Sequence, residues 1–221
     1  MRRDDEQGRV DTSDSPEFGR GLSFTDAIYG FAITLLVVNL DVPAAADWSS
    51  LSALIGSGLY GQLFGYTLSF VVIAIFWRVN FRLVRSMSGM TSPVLTAQIV
   101  AAFFVVLIPF TTQGMSDPAT RDLGLPTALY ALNIALASLA QTATYLIAQR
   151  QGLTSLPSTN DVSRRLVLAS LVTPLVFLAS IPIAVGVGSQ AAELSWLPLV
   201  VLGPLTGRIA PRAAPRPRAA S

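Results

Sequence analysis

The stretch RGLSFTDAIYGFAITLLVVNLDVP, from Arg20 to Pro43, decides the fold of this chain. Its segment from Ala27 to Leu40 is apolar apart from a tyrosine, a glycine, a threonine and an asparagine. A membrane-spanning helix needs about 20 mainly apolar residues, and the block from residue 21 to residue 42 reaches that length. Asp26 stands at the head of the run, where an unpaired carboxylate near lipid would cost several kcal/mol. The sequence therefore predicts a first span with a partner for an acid near its start.

Two interpretations of Asp26 stay open at this point. In the first, Asp26 lies inside the helix and meets partners from the second span, such as Trp77, Arg78 or Asn80. A pair with Arg20 is not expected, since six residues of helix place the two side chains on nearly opposite faces. In the second interpretation, Asp26 only caps a helix that begins at the next residue, because Asp is a preferred cap residue.

The composition predicts an all-α integral membrane protein. The chain has 221 residues, of which 52% are hydrophobic and 13% charged, whereas soluble domains carry about 25% charged residues. Its mean hydropathy is +0.56. There is no Cys and no His, which excludes thiolate nucleophiles, Cys/His zinc sites and Ser-His-Asp triads. We therefore expect no enzyme, no metal site and no cofactor.

Six apolar blocks lie between two polar tails. The tails, residues 1–19 and 207–221, have compositions typical of disordered segments, and the second is basic. The domain between them covers residues 20–206. The six predicted spans are residues 21–42, 60–85, 92–113, 126–149, 163–186 and 191–206. The last is short and holds two prolines, and Pro109, Pro174 and Pro182 predict kinks that neighbouring helices can tolerate.

The distribution of arginines predicts how the six spans are oriented in the membrane. All 15 basic residues are Arg, and 14 of them fall on one side of the predicted membrane, while only Arg121 falls on the other. Because basic residues concentrate in cytoplasmic segments, both termini are predicted to face the cytoplasm, and the number of spans is predicted to be even. An alternative, in which the first block is a signal peptide cleaved after Ala44-Ala45-Ala46, stays open.

One face of the first span is singled out by helical spacing. Ala27, Phe31, Thr34, Val38 and Asp41 follow one another at intervals of three or four residues. Such a face can pack against a neighbouring helix, as small-residue faces commonly do. Alternatively, it can line a pore when it is repeated by symmetry in an oligomer.

Three segments resemble the transmembrane protein 175 family, which contains the lysosomal potassium channel and its bacterial relatives. The residues RGLSFTD, with Arg20, Phe24, Thr25 and Asp26, resemble the family signature R-x-x-x-F-S-D, and the I-T-L-L core and closing V-P follow it. The second-span segment YTLSFVVIAIFW, which ends at Trp77, is similar to the family's S-F-x-x-I-x-x-F-W. In the third span, VVLIPFTT resembles the family's L-L-P-F pattern.

The resemblance implies an architecture and a function. Bacterial members are homotetramers of six-span subunits in the inner membrane, with a central pore lined by the first span and no carbonyl-lined selectivity loop. They conduct monovalent cations passively and favour potassium. A ring of bulky aliphatic side chains forms the constriction, and a hydroxyl ring lies just beyond it. Carried over, these positions fall on Phe31 and Thr34, with Val38 further along the same face and Asp41 at the outer mouth.

The chain departs from the family pattern at several positions. Phe31 stands where an Ile or Leu is usual, Thr25 replaces Ser, and Asn80 and Phe81 occupy the places of adjacent histidines after Trp77. The resemblance implies copies of the same chain, lipid and monovalent cations as partners, with no nucleic acid. Two other classes stay open, a secondary transporter and a non-conducting structural membrane protein, the latter because a ring of Phe31 side chains could close the pore.

Overall fold

The chain forms a helical bundle with short connections. The computed structural model describes residues 11–12, 16–154 and 160–206, so the predicted basic tail at 207–221 lies outside the described residues. In chain order, the helices are α1 Pro16–Val38, α2 Leu51–Gly56, α3 Leu59–Arg85, α4 Ser92–Val106, α5 Ile108–Ser116, α6 Gly124–Arg150, α7 Asn160–Gly186 and α8 Ser189–Thr206. A 3₁₀ helix at Ala45–Ser49 precedes α2. Strands β1 Asp11–Thr12 and β2 Gly89–Met90 pair antiparallel.

Five helices of the described chain are long and apolar enough to cross a membrane. They cover Phe18–Val38, Leu59–Arg85, Ser92–Ser116, Gly124–Arg150 and Val167–Gly186. These correspond to the first five predicted spans, which confirms a multi-pass helical protein. The sixth predicted span is also helical, as α8, but it does not belong to these five. The count of six spans stays a prediction.

The first helix begins earlier than predicted. It starts at Pro16 rather than at residue 21, and β1 lies inside the segment predicted to be a disordered tail. Phe18 explains the early start, because its side chain is buried against Leu83, Met87 and Met90 at the inner end of the bundle. Because the residues around Phe18 are polar, nothing in the sequence indicated that this side chain is buried and extends the helix. Asp26 therefore lies three turns inside the helix, and the interpretation of Asp26 as its cap is wrong.

The third span is broken at Leu107, between α4 and α5. Pro109 has no N–H to donate, so the helix is interrupted there as its position predicts. Side-chain amides supply donors around the break. Asn39 donates Nδ2–H to the carbonyl of Pro109 at 2.9 Å, and Asn133 donates to that of Phe104 at 3.1 Å. A broken helix inside a bundle is stable only with such compensation.

The main core lies where α1 and α3 to α8 meet. Three polar residues of α6 bond neighbouring helices. Gln141 donates to the carbonyl of Phe76 at 2.9 Å, Asn133 reaches α4, and Tyr130 accepts from Ser69 at 3.1 Å. Thr144 instead bonds within α6.

Candidate functional site

Helix α1 has one face turned to the bundle and one turned away from it. Tyr29, Ala32 and Leu36 are at most 2% exposed and belong to the core. The opposite face carries the side chains that the sequence singled out. Phe31 is 69% exposed and Val38 is 74% exposed. The predicted face is therefore not a packing face within this chain, although a second chain can still cover it.

A hydroxyl group lies one turn beyond Phe31 on this exposed face. Thr34 donates its Oγ1–H to the carbonyl of Phe31 at 2.9 Å. The bond occupies the hydroxyl proton, so the Oγ1 lone pairs remain available as acceptors. Ala27 and Gly30 are also exposed toward the inner end of the same face. The face thus combines a bulky aromatic ring, a hydroxyl acceptor and small residues.

The outer end of α1 is tied to the second span by a reciprocal pair of hydrogen bonds. The Asp41 backbone N–H donates to Gln62 Oε1 at 3.0 Å, and Gln62 Nε2 donates to Asp41 Oδ2 at 2.9 Å. The helix ends at Val38, so Asp41 does not continue its periodicity as the spacing predicted. Asp41 is nevertheless exposed, and the buried Gln62 fixes both its backbone N–H and its carboxylate.

The inner end of α1 is tied to the second span by Asp26. Trp77 donates its indole Nε1–H to Asp26 Oδ1 at 3.0 Å, which confirms one of the partners predicted from the second span. Asn80, another predicted partner, is buried, and its Nδ2 has no hydrogen-bond partner among the described residues. The partner of Asp26 is thus an aromatic donor.

The remaining signature residues point in different directions. Arg20 and Phe24 are exposed on the same side as Phe31, and the Phe24 side chain is 58% exposed. Thr25 is buried and donates to the carbonyl of Gly21 at 3.0 Å, so its hydroxyl serves its own helix. The structure therefore brings Asp26 to Trp77 and leaves the other three out of that contact.

An aromatic column occupies the place of the missing histidines. The Phe81 ring stacks on Trp77 with centroids 5.6 Å apart, and the Arg85 guanidinium lies 5.4 Å from the Phe81 centroid. This cation–π contact fixes Arg85, one of the arginines on the predicted inner side of the membrane. By stacking on the indole ring, Phe81 supports the side chain that binds Asp26. A histidine at the position of Phe81 could have changed its charge with pH, whereas Phe81 cannot.

Sequence reasoning missed two residues that fix the ends of this face. Gln62 and Asn39 were not predicted as site residues, yet they bond Asp41 and the broken third span. Each is an amide in an otherwise apolar segment, which is a usable signal, since polar groups in spans face partners. Their hydrogen-bond partners lie far away in the sequence, so a polar residue in an apolar segment does not by itself identify its partner.

Comparisons with known proteins agree with the resemblance found in the motifs. The family model described as endosomal/lysosomal potassium channel TMEM175 matches residues 20–109. That segment contains α1 from Arg20 onward, the Trp77 site and the break before Pro109.

Two curated bacterial proteins match a longer part of the chain. A potassium channel of Chryseobacterium sp. (strain P1-3) is 26% identical over 126 residues, which cover 56% of this chain and 61% of that protein. A potassium channel of Streptomyces collinus (strain DSM 40733 / Tue 365) is 25% identical over 138 residues, 62% of this chain and 66% of that protein. The matched part thus spans slightly less than two thirds of either relative.

A solved structure has the same fold. The crystal structure of a lysosomal potassium-selective channel TMEM175 homologue from Chamaesiphon minutus superposes with a TM-score of 0.70 at 16% identity. The match covers 87% of this chain and 98% of that chain. Taken together, the family model over residues 20–109 and the two bacterial relatives show that this chain is similar to members of the TMEM175 family, and the solved structure shows that it shares their fold.

Proposed function

We propose that this chain is the subunit of a passive monovalent cation channel that favours potassium. Four copies surround a central path lined by α1, in the inner membrane of a bacterium, with both termini in the cytoplasm. The subunit crosses the membrane six times, with α8 as the last span. The chain has no catalytic role. Both curated bacterial relatives carry the name potassium channel, which supports this assignment.

The observation that carries the proposal is the exposed face of α1. Phe31, Thr34 and Val38 turn away from the core, while the opposite face of the same helix is fully packed. A helix that faced only lipid on that side would gain nothing from a hydroxyl, a glycine and flanking charged residues. In a fourfold ring the same residues would surround a central path.

The chemistry of this face suits a hydrophobic gate. A ring of four Phe31 side chains would offer a hydrated ion no replacement ligands, so a narrow passage there resists wetting. The Thr34 hydroxyl acceptors just beyond it would give partial compensation to a dehydrating cation. Val38 continues the apolar wall outward, and Asp41 places a negative charge at the outer mouth, where it attracts cations.

The transporter alternative is disfavoured by the break in the third span. Discontinuous helices of transporters coordinate ions through their freed carbonyls. Here the carbonyls of Pro109 and Phe104 accept hydrogen bonds from Asn39 and Asn133 instead. They are therefore engaged in holding helices together, and a passive path along α1 is the simpler assignment.

The decisive experiment compares ion flux through Phe31→Ala with flux through the unchanged protein. In reconstituted vesicles, the smaller side chain widens the ring, so passive potassium flux should rise by roughly tenfold, equivalent to a barrier lower by about 1.4 kcal/mol. Discrimination between potassium and sodium should weaken at the same time.

The matched control is Phe110→Ala, because Phe110 is 70% exposed but belongs to α5. This variant should conduct like the unchanged protein. An unchanged flux in Phe31→Ala, or an equal rise in both variants, would overturn the assignment of the path to α1. Cross-linking and mass measurement of the purified protein test the tetramer separately.

A further inference from the structure

A cavity of about 350 Å³ lies away from the α1 face, at the predicted outer side of the bundle. It is bounded by the first turns of α3 and α8 and by the end of α5 with the loop that follows. Its volume falls within the range of about 300–1,000 Å³ that is common for small-molecule sites. Tyr60 and Leu194 border it and are 71% and 63% exposed, so its rim is apolar and open to the surroundings.

Arg121, the lone arginine on the predicted outer side, contributes to this cavity. Its guanidinium lies directly on Gly61, where an added Cβ would come within 2.6 Å of Nη1. A second glycine one turn on, Gly65, leaves room for Ser116, since an added Cβ there would come within 2.7 Å of the Ser116 Cβ. Gly61 therefore makes the space that the arginine side chain occupies, and Gly65 lets α5 approach α3 beside it.

An acid of opposite sign shares the cavity. Glu193 lies in the first turns of α8 and is only partly exposed. The positive charge of Arg121, which lines the same cavity, acts on its carboxylate. The backbone of Arg121 is also fixed to α8, because Ser189 donates Oγ–H to its carbonyl at 2.5 Å. A separated cation and anion are thus held in one half-enclosed space.

We propose that this cavity binds a zwitterionic headgroup that carries a phosphate and a primary ammonium, as in phosphatidylethanolamine. Arg121 binds the phosphate through charge-assisted hydrogen bonds, and Glu193 accepts hydrogen bonds from the ammonium. A purely anionic headgroup leaves Glu193 unpaired and repelled. A quaternary ammonium has no N–H to donate to the carboxylate. The apolar rim of Tyr60 and Leu194 then faces the glycerol and acyl chains, at the depth where interfacial aromatics lie.

Native mass spectrometry of the delipidated full-length protein tests this site. Phosphatidylethanolamine, phosphatidylcholine and phosphatidylglycerol with identical acyl chains are titrated separately. The unchanged protein should bind the ethanolamine lipid roughly tenfold more tightly than either other lipid, as expected for one additional charge-assisted contact. Glu193→Gln should bring the ethanolamine-to-choline ratio close to one. Arg121→Gln should weaken binding of all three lipids.

Gly61→Ala gives a second route to the same answer. The added methyl meets only the end of the flexible Arg121 side chain, so it displaces the guanidinium without changing the charge or demanding backbone movement. It should weaken phosphate binding as Arg121→Gln does. Asp122→Asn, an exposed outer carboxylate that does not line the cavity, is the matched control and should change nothing.

Soluble glycerophosphoethanolamine separates the headgroup from the lipid. If it competes with the lipid and glycerophosphocholine does not, the site recognises the headgroup itself. Equal competition by both compounds, or an ethanolamine-to-choline ratio near one in the unchanged protein, overturns the proposal. The readout is lipid binding, so the result is independent of ion conduction.

Discussion

Trp77 and Asp26 join the second span to the first through an indole-to-carboxylate hydrogen bond of 3.0 Å. Gln141, on α6, reaches the carbonyl of the preceding residue, Phe76, and so holds the backbone next to Trp77. Phe81, on the same helix as Trp77, stacks on the indole ring. The inner end of α1 is thus held by an aromatic donor of α3 that α6 helps to position, and Asp26 has the partner that burial near lipid requires.

Replacing the donor should weaken this junction. Trp77→Phe keeps an aromatic ring to stack on Phe81 but removes the N–H, leaving Asp26 without this donor. We expect the free energy of unfolding to fall by about 1–3 kcal/mol, the usual cost of removing a partner from a charged acceptor. Thermal unfolding in detergent measures it. Trp48→Phe is the control, because Trp48 donates to Pro43 in the exposed outer loop, and it should unfold almost unchanged.

The charge of Asp41 should matter for flux only at low ionic strength. Asp41→Asn keeps an acceptor for Gln62 but removes the charge, so inward potassium flux should fall at 0.01 M salt, where the Debye length is about 30 Å. Near 1 M salt, where it is about 3 Å, the effect should vanish. Asp122→Asn controls for general outer charge. A loss that is equal at all salt concentrations contradicts an electrostatic role.

The hydroxyl of Thr34 should control selectivity more than rate. Thr34→Val has nearly the same shape but lacks Oγ1, so a cation beyond the Phe31 ring loses its acceptor. We expect the potassium-to-sodium flux ratio to fall several-fold with little change in total flux, whereas Thr34→Ser should preserve the ratio. Paired potassium and sodium flux measurements in vesicles decide this. A ratio that is the same in all three proteins removes Thr34 from the path.

The break in the third span should depend on Asn133. Asn133→Leu leaves the carbonyl of Phe104 without this donor, and we expect a loss of about 1–3 kcal/mol in unfolding free energy. Gln98, on α4 in the third span, is buried, and neither of its amide atoms has a partner within the described chain. Gln98→Leu should therefore cost far less. Equal destabilisation by both changes would mean that volume, not hydrogen bonding, dominates at these positions.

The positions of five spans were predictable from the sequence because lipid imposes long apolar segments with satisfied backbones. Helical spacing alone placed Phe31, Thr34 and Val38 on one face of α1, whereas the packing of the bundle decided that this face is exposed. Trp77 was predicted as a partner of Asp26 because a half-buried acid needs a donor. These features depend on local spacing or on composition, so the amino-acid sequence alone is enough to predict them.

Boundaries and long-range partners were decided only by tertiary contacts. Phe18 extends α1 into the predicted tail because a pocket of α3 and neighbouring segments buries its ring. Asp41 leaves the helix, yet Gln62, 21 residues further on, fixes it at the outer end. An amide side chain such as that of Gln62 in an apolar segment indicates that it has a hydrogen-bond partner in the folded protein. The three-dimensional packing decides which residue is that partner, since many carbonyls and carboxylates of the chain could accept the same hydrogen bond.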